Sequence, residues 1–118
     1  MSQEFKPGDF LLFQVESGYG LLRILEIQRT EDDTIWHLAA YNEFFIDPES
    51  ADEAIENNNL TVNLAHIALT NRAFFATQTA IMSNRKLTNQ ELEPLLEWKQ
   101  SASPQVHDRS IRLMIGIR

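Results

Sequence analysis

The chain has 118 residues, 43% hydrophobic and 23% charged, enough for one folded domain with a single core and too few for two. Seventeen acids against ten lysines and arginines give a net charge of −7, which argues against tracking nucleic acid or an anionic membrane. There is no cysteine, so disulfides, zinc–thiolate sites and thiol nucleophiles are excluded.

The segment Met1 to Asp9 lacks the basic stretch and apolar core of a signal peptide. No uncharged apolar run approaches the roughly 18 residues that a membrane span needs, so a cytoplasmic protein is expected. Pro7-Gly8-Asp9 is turn chemistry, and it launches the aromatic-rich run Phe10 to Val15, which reads as a strand buried on both faces. Glu16 to Gly20 supplies a glycine-bearing loop, and Leu21 to Ile27 the returning strand of a hairpin. After a polar turn at Glu31-Asp32-Asp33, Thr34 to Tyr41 completes a three-stranded antiparallel meander.

Periodicity is lost from Asn42 to Asn59. Within that stretch Asp47 is a capping residue, Pro48 fits a first helical position and Glu49 suits the positive end of the helix dipole, so a short helix is predicted over Pro48 to Glu56. Leu60 to Leu69 reads as another strand. Asn71 to Met82 fits either a helix or a bulged strand. Thr88-Asn89-Gln90-Glu91 is a capping box that opens a helix to about Gln100, and Pro94 either kinks its first turn or moves the true start to near Glu93. Ile111, Leu113, Ile115 and Ile117 alternate with Ser110, Arg112, Met114 and Gly116 and predict a final strand; Arg112 and Arg118 on its other face would guard an exposed edge if the strand lies at the border of the sheet, and simply face solvent if it is interior. The expected class is α+β, mainly β: a bent antiparallel sheet or half-open barrel with one or two packed helices.

The feature that bears most on function is charge asymmetry. Between Arg29 and Arg72 there is no lysine or arginine, yet nine carboxylates stand there. Eight of them, Glu31, Asp32, Asp33, Glu43, Asp47, Glu49, Asp52 and Glu53, are candidates for an acidic surface that steers a basic protein partner. Trp36, Tyr41 and Phe44 are the candidate anchors within it, since aromatic side chains inside a charged rim are the composition of an interface hot spot. The plain alternative is that these acids only solvate loops, and that Phe44 and Phe45 plug the core beneath one.

Other constellations point nowhere firm. Asp47, Glu49, Asp52 and Glu53 lack the glycine at position six and the glutamate at position twelve of a calcium loop. His37, His66 and His107 are separated beyond any metal-ligand spacing, and no metal or cofactor is expected. Gly18-Tyr19-Gly20 shapes a hairpin and is not a phosphate cradle, because a strand follows it. Arg85 and Lys86 form a small basic spot. No catalytic motif stands out.

Lys6-Pro7-Gly8-Asp9-Phe10, followed by Gly18-Tyr19-Gly20-Leu21-Leu22-Arg23-Ile24-Leu25, resembles the opening of small bacterial immunity proteins of polymorphic toxin systems. His66 to Leu69, Ala73-Phe74, Leu87-Thr88 through Glu91-Leu92, and Trp98 are similar to the second half of immunity-like domains. The resemblance implies a non-catalytic cytoplasmic protein that blocks a cognate toxin domain. Two rival readings stay open. One is a small-molecule-binding or enzymatic domain with a pocket between the sheet and the helix at Thr88 to Gln100, involving Trp98, His66 and Tyr41. The other is a structural homodimer joined through the C-terminal strand.

Overall fold

In the computed structural model, which describes residues 4–116, five strands form one antiparallel sheet. They are β1 (Asp9–Val15), β2 (Gly18–Arg29), β3 (Thr34–Phe45), β4 (Val62–Leu69) and β5 (Thr79–Asn84). Their spatial order is β4-β3-β2-β1-β5, an open sheet that does not close into a barrel. Four helices accompany it: α1 (Pro48–Glu56), α2 (Asn71–Phe75), α3 (Asn89–Gln100) and α4 (Ile111–Met114). The α+β, mainly-β class follows, with two helices of several turns and two short ones.

The meander forms as the turn chemistry dictates. Pro7 and Gly8 occupy the centre of a turn closed by Asp9 N donating to Lys6 O at 3.1 Å, and Gly8 has φ 93°, which only glycine adopts freely. The β1–β2 connection is tighter than the sequence suggests: Val15 pairs with Gly18, so Glu16 and Ser17 alone turn the chain, and Gly18-Tyr19-Gly20 already belongs to β2. β3 is longer than expected. It continues through Asn42 to Phe45 because Phe44 and Phe45 find partners in Gly20 and Tyr19.

Alternation along the strands gives two buried faces. On one, Leu11, Phe13, Leu22, Ile24, Trp36, Leu38 and Leu69 pack against Phe74 of α2 and Ile111 of α4. On the other, Phe10, Leu12, Leu21 and Tyr41 pack against Ala51 and Ile55 of α1, while Leu25 and Ala39 pack against Leu95 of α3. Helices α1 and α3 therefore lie side by side on one face, with sheet exposed between them.

The ambiguous stretch after Asn71 divides into α2 and β5. Asp47 caps α1 as predicted, accepting from Ser50 N at 2.8 Å. Thr88 and Glu91 form the full capping box of α3, and Pro94 lies inside that helix.

The final strand is not formed. Ser110 caps a helical turn at Ile111–Met114, and Ile111, Met114 and Ile115 reach the core together. These positions are i, i+3 and i+4, the spacing of a helix face. Arg112 is thus not an edge guard, and a homodimer through a C-terminal strand has no strand to use among the described residues. Arg118 lies outside the described residues.

Candidate functional site

The acids of the central segment are brought together in part. Glu31, Asp32 and Asp33 sit on the β2–β3 turn, and Asp47, Glu49, Asp52 and Glu53 on α1 and its cap, at the opposite end of β3. Twelve residues of strand separate the two groups by roughly 35 Å, about four screening lengths at physiological salt. They act as two fields. Among the described residues none of these carboxylates has an ion-pair partner; the ion pairs are Arg23–Glu91, Arg72–Asp108 and Lys99–Glu26.

The anchors divide as well. Trp36 is buried: its ring stacks on Phe74 at 3.9 Å and its Nε1 donates to Asn71 Oδ1 at 2.9 Å. Tyr41 is buried against Phe10. Both belong to the core, and only Phe44 of the three faces solvent, 55% exposed. Phe45 turns inward to the α1 side.

Beside Phe44 stands Ile46, 83% exposed, the most exposed large apolar side chain of the described residues. Its position is informative. It precedes the capping residue Asp47, where an apolar side chain ordinarily clips onto the fourth helical residue. Here that residue, Ala51, is fully buried against the sheet and Ile46 is left out in water. Phe44 and Ile46 flank a hollow of about 360 Å³ completed by Val15, Glu16, Ser17 and Gly18. Gly18 permits this close approach, since a Cβ there would lie 2.3 Å from the Phe45 carbonyl oxygen.

Acids rim this end. Glu16, Glu49, Asp52 and Glu53 are exposed, and Glu43 and Asp47 are half-buried. Partial burial works to raise the Glu43 carboxyl, but Thr61, donating from both N and Oγ1, holds it below the ordinary range. Hydrogen bonds from Ser50 do the same for Asp47. Both stay ionised at neutral pH.

A second concavity, about 530 Å³, lies on the sheet face between α1 and α3. Phe10, Arg23, Leu25, Ala39 and Tyr41 form its floor. Arg23 is buried and held by all three of its nitrogens: Nε donates to Gly8 O at 2.9 Å, Nη2 to Arg85 O at 2.8 Å and Nη1 to Glu91 Oε2 at 2.7 Å, with the guanidinium 4.2 Å over the Phe10 ring. Burial pushes the Tyr41 hydroxyl upward, opposed by the Arg23 cation beside it. The cleft lies between the sheet and α3, as the sheet–helix pocket reading predicts, and Tyr41 lines it.

His66 and Trp98 do not. They meet His37 on the far side of α3, where His37 Nδ1 lies 2.9 Å from His66 Nε2 and Trp98 packs across both rings. Gln28 Oε1 accepts from His37 Nε2 at 2.9 Å, so His37 Nδ1 is the acceptor for His66. Burial lowers both imidazoles, His66 to about 4. The pair is neutral near pH 7, a packed polar contact.

Sequence reasoning passed over Ile46 and Arg23. The signal for Ile46 was its place before Asp47-Pro48. For Arg23 it was a charge at the centre of Leu-Leu-Arg-Ile-Leu, on the same strand face as Leu21 and Leu25. Comparison of the chain with known protein families, curated proteins and solved structures finds no match.

Proposed function

We propose that the protein is a non-catalytic binding domain that docks a basic protein surface through the end of the sheet where Phe44 and Ile46 protrude. The single observation that carries this reading is the pairing of two exposed apolar side chains with a ring of carboxylates that lack ion-pair partners among the described residues. Water-exposed phenyl and sec-butyl groups each forgo about 1.5–3 kcal/mol of burial, and a partner socket recovers it. The surrounding charge contributes mainly to encounter rate and selectivity. The working surface is Phe44 and Ile46 with Glu16, Glu43, Asp47, Glu49, Asp52 and Glu53. Trp36 and Tyr41 support it from within, and the Glu31-Asp32-Asp33 turn is too distant to share one footprint.

The resemblance to immunity proteins is compatible with this reading, because toxin domains that act on nucleic acid are commonly basic. On that view the protein acts in the cytoplasm by covering its partner's working surface. No helix of the described residues is long and apolar enough to cross a membrane.

The test uses immobilised wild-type protein and a Phe44→Ala/Ile46→Ala variant against the protein encoded immediately upstream, at about 0.05 and 0.5 M salt. Expected are slower association at high salt and, for the variant, at least ~100-fold weaker affinity, as for hot-spot truncations. Equal binding by the two proteins, or a salt-independent on-rate, overturns the proposal.

A further inference from the structure

The cleft between α1 and α3 has a charge opposite to that of the molecule. The protein carries −7, yet the cleft is lined by Arg23, Arg85 and Lys86 against one carboxylate, Glu91. Glu91 is consumed by Arg23, through a contact whose guanidinium side is almost wholly withdrawn from water. Arg85 and Lys86 at the lip have no ion-pair partner among the described residues. Their cationic field therefore falls on the cleft mouth.

The lip is also held in place. Arg85 N donates to Gly8 O at 3.1 Å, and Arg85 O accepts from Arg23 Nη2 at 2.8 Å. The main chain at Arg85 is thus pinned on both sides by groups seated on the buried arginine, while the side chain is left to turn toward the cleft.

Below the lip the lining is apolar. Leu25 and Ala39 form the floor with the stacked rings of Phe10 and Tyr41, whose centroids are 5.9 Å apart, and Leu60 and Val62 line the cleft as well. A volume of about 530 Å³ falls within the range of small-ligand pockets, about 300–1,000 Å³. Apolar walls with a few convergent polar groups are the usual composition of such sites.

We propose that this cleft is a binding site for a small amphipathic anion: an apolar, aromatic-sized body lying against Leu60, Val62 and Ala65 above the buried floor, with one carboxylate or phosphate held by Arg85 and Lys86. An inorganic ion would leave the apolar floor wet, and a cationic ligand would meet two uncompensated cations at the mouth. The site is separate from the Phe44–Ile46 surface and stands or falls independently of it.

The test is NMR titration of the isotope-labelled protein with 3-phenylpropionate and phenyl phosphate, which separate the two anionic groups, and with neutral 3-phenylpropanol and cationic phenethylamine. Saturable shifts at Leu25, Ala39 and Tyr41 are expected for at least one anion, with weaker binding of the alcohol and weakest of the amine. Arg85→Gln/Lys86→Gln removes both lip charges but keeps the Arg85 carbonyl that Arg23 needs. It should weaken the anion about ten-fold and leave the alcohol unchanged. Ala65→Phe, at an exposed lining position, should weaken all four probes by filling the mouth. Absence of saturable shifts for both anions, amine binding equal to anion binding, or an unchanged anion affinity in the double variant overturns the proposal.

Discussion

Acidification should destabilise this protein through His37 and His66, and the effect can be isolated. Both imidazoles are lowered, chiefly by burial; Glu26 works against this at His37 and Lys99 adds to it, while His37 itself adds to the lowering at His66. A base whose folded pKa is depressed binds its proton more readily when unfolded, so stability is complete above pH 6.5 and drains away as pH falls toward the folded value. For His66, from 6.5 unfolded to about 4 folded, the loss between pH 7 and 4.5 is at most about 2.4 kcal/mol. The ring is only half-buried, so water screening reduces the expected loss to about 1–2 kcal/mol. Urea unfolding followed by the fluorescence of Trp98, which packs on both rings, should show the midpoint falling by about 1 M across that interval. His66→Gln keeps a donor for His37 Nδ1 and removes the titration. Its stability should fall less steeply with acid, the residual slope coming from His37. Carboxylate titration relaxes the net negative charge in both proteins equally, so the difference between the curves reports the histidine. Parallel curves between pH 6.5 and 4.5 would refute the account of a neutral, buried pair.

Glu91→Gln should cost up to about 3 kcal/mol in urea unfolding, because it leaves the Arg23 cation buried without its charge partner and sets an amide N–H in place of an acceptor for either Arg23 Nη1 or Thr88 N; a loss under ~1 kcal/mol would mean water reaches Arg23. Thr88→Ala, which removes the capping acceptor for Glu91 N, should lower stability by about 1 kcal/mol in the same assay while leaving the Arg23–Glu91 contact intact. Gly18→Ala should push the end of β3 away from β2, since its Cβ meets backbone and not a flexible side chain. Hydrogen exchange at Phe44 and Phe45 should accelerate, and an unchanged rate would show that the strand end shifts without fraying.

The parts legible in sequence were those fixed by local chemistry. The meander followed from Pro7-Gly8 and the Glu31-Asp32-Asp33 turn, and α1 and α3 from residues that satisfy their own first-turn N–H groups. Errors arose where two local signals competed or a distant partner decided. Ile111 to Ile117 alternates with the period of a strand, yet Ser110 accepts from Leu113 N and Gly116 has φ 81°, a start and a stop one helical turn apart. Leu113 is exposed and Ile111 buried, so the alternation did not mark inside and outside. Asn42 to Phe45 lacks a strand's pattern and is extended because β2 pairs with it, a contact more than twenty residues away in sequence. Composition puts Trp36 and Tyr41 among the acids, and position puts both in the core. An aromatic in a strand buried on both faces has no outward side, whichever way it points.

Charge ties the two surfaces together. The basic residues nearest the centre of the fold are turned inward or upward: Arg23 under Glu91, Arg85 and Lys86 over the cleft. Those acids of the central segment that stand free are on the β2–β3 turn and along α1. Neutralising pairs would have been the low-field solution, and exposed pairs are worth little in stability, so their omission is nearly free in folding terms. What the separation produces is a molecule whose Phe44–Ile46 end repels anions while its cleft mouth attracts them. Helix α1 borders both surfaces, with Ile55 on the cleft and Glu49 and Glu53 exposed along its length, so the ~8–10 Å screening length weakens the cross-talk between the two fields without abolishing it. A basic protein and a small anion would therefore select different faces without competing. Reversing charge at one face, Glu49→Lys/Glu53→Lys, should slow association of a basic partner and leave anion affinity in the cleft within about two-fold, as judged by the NMR titration. A parallel loss at both faces would mean that one continuous field, and not two, governs recognition.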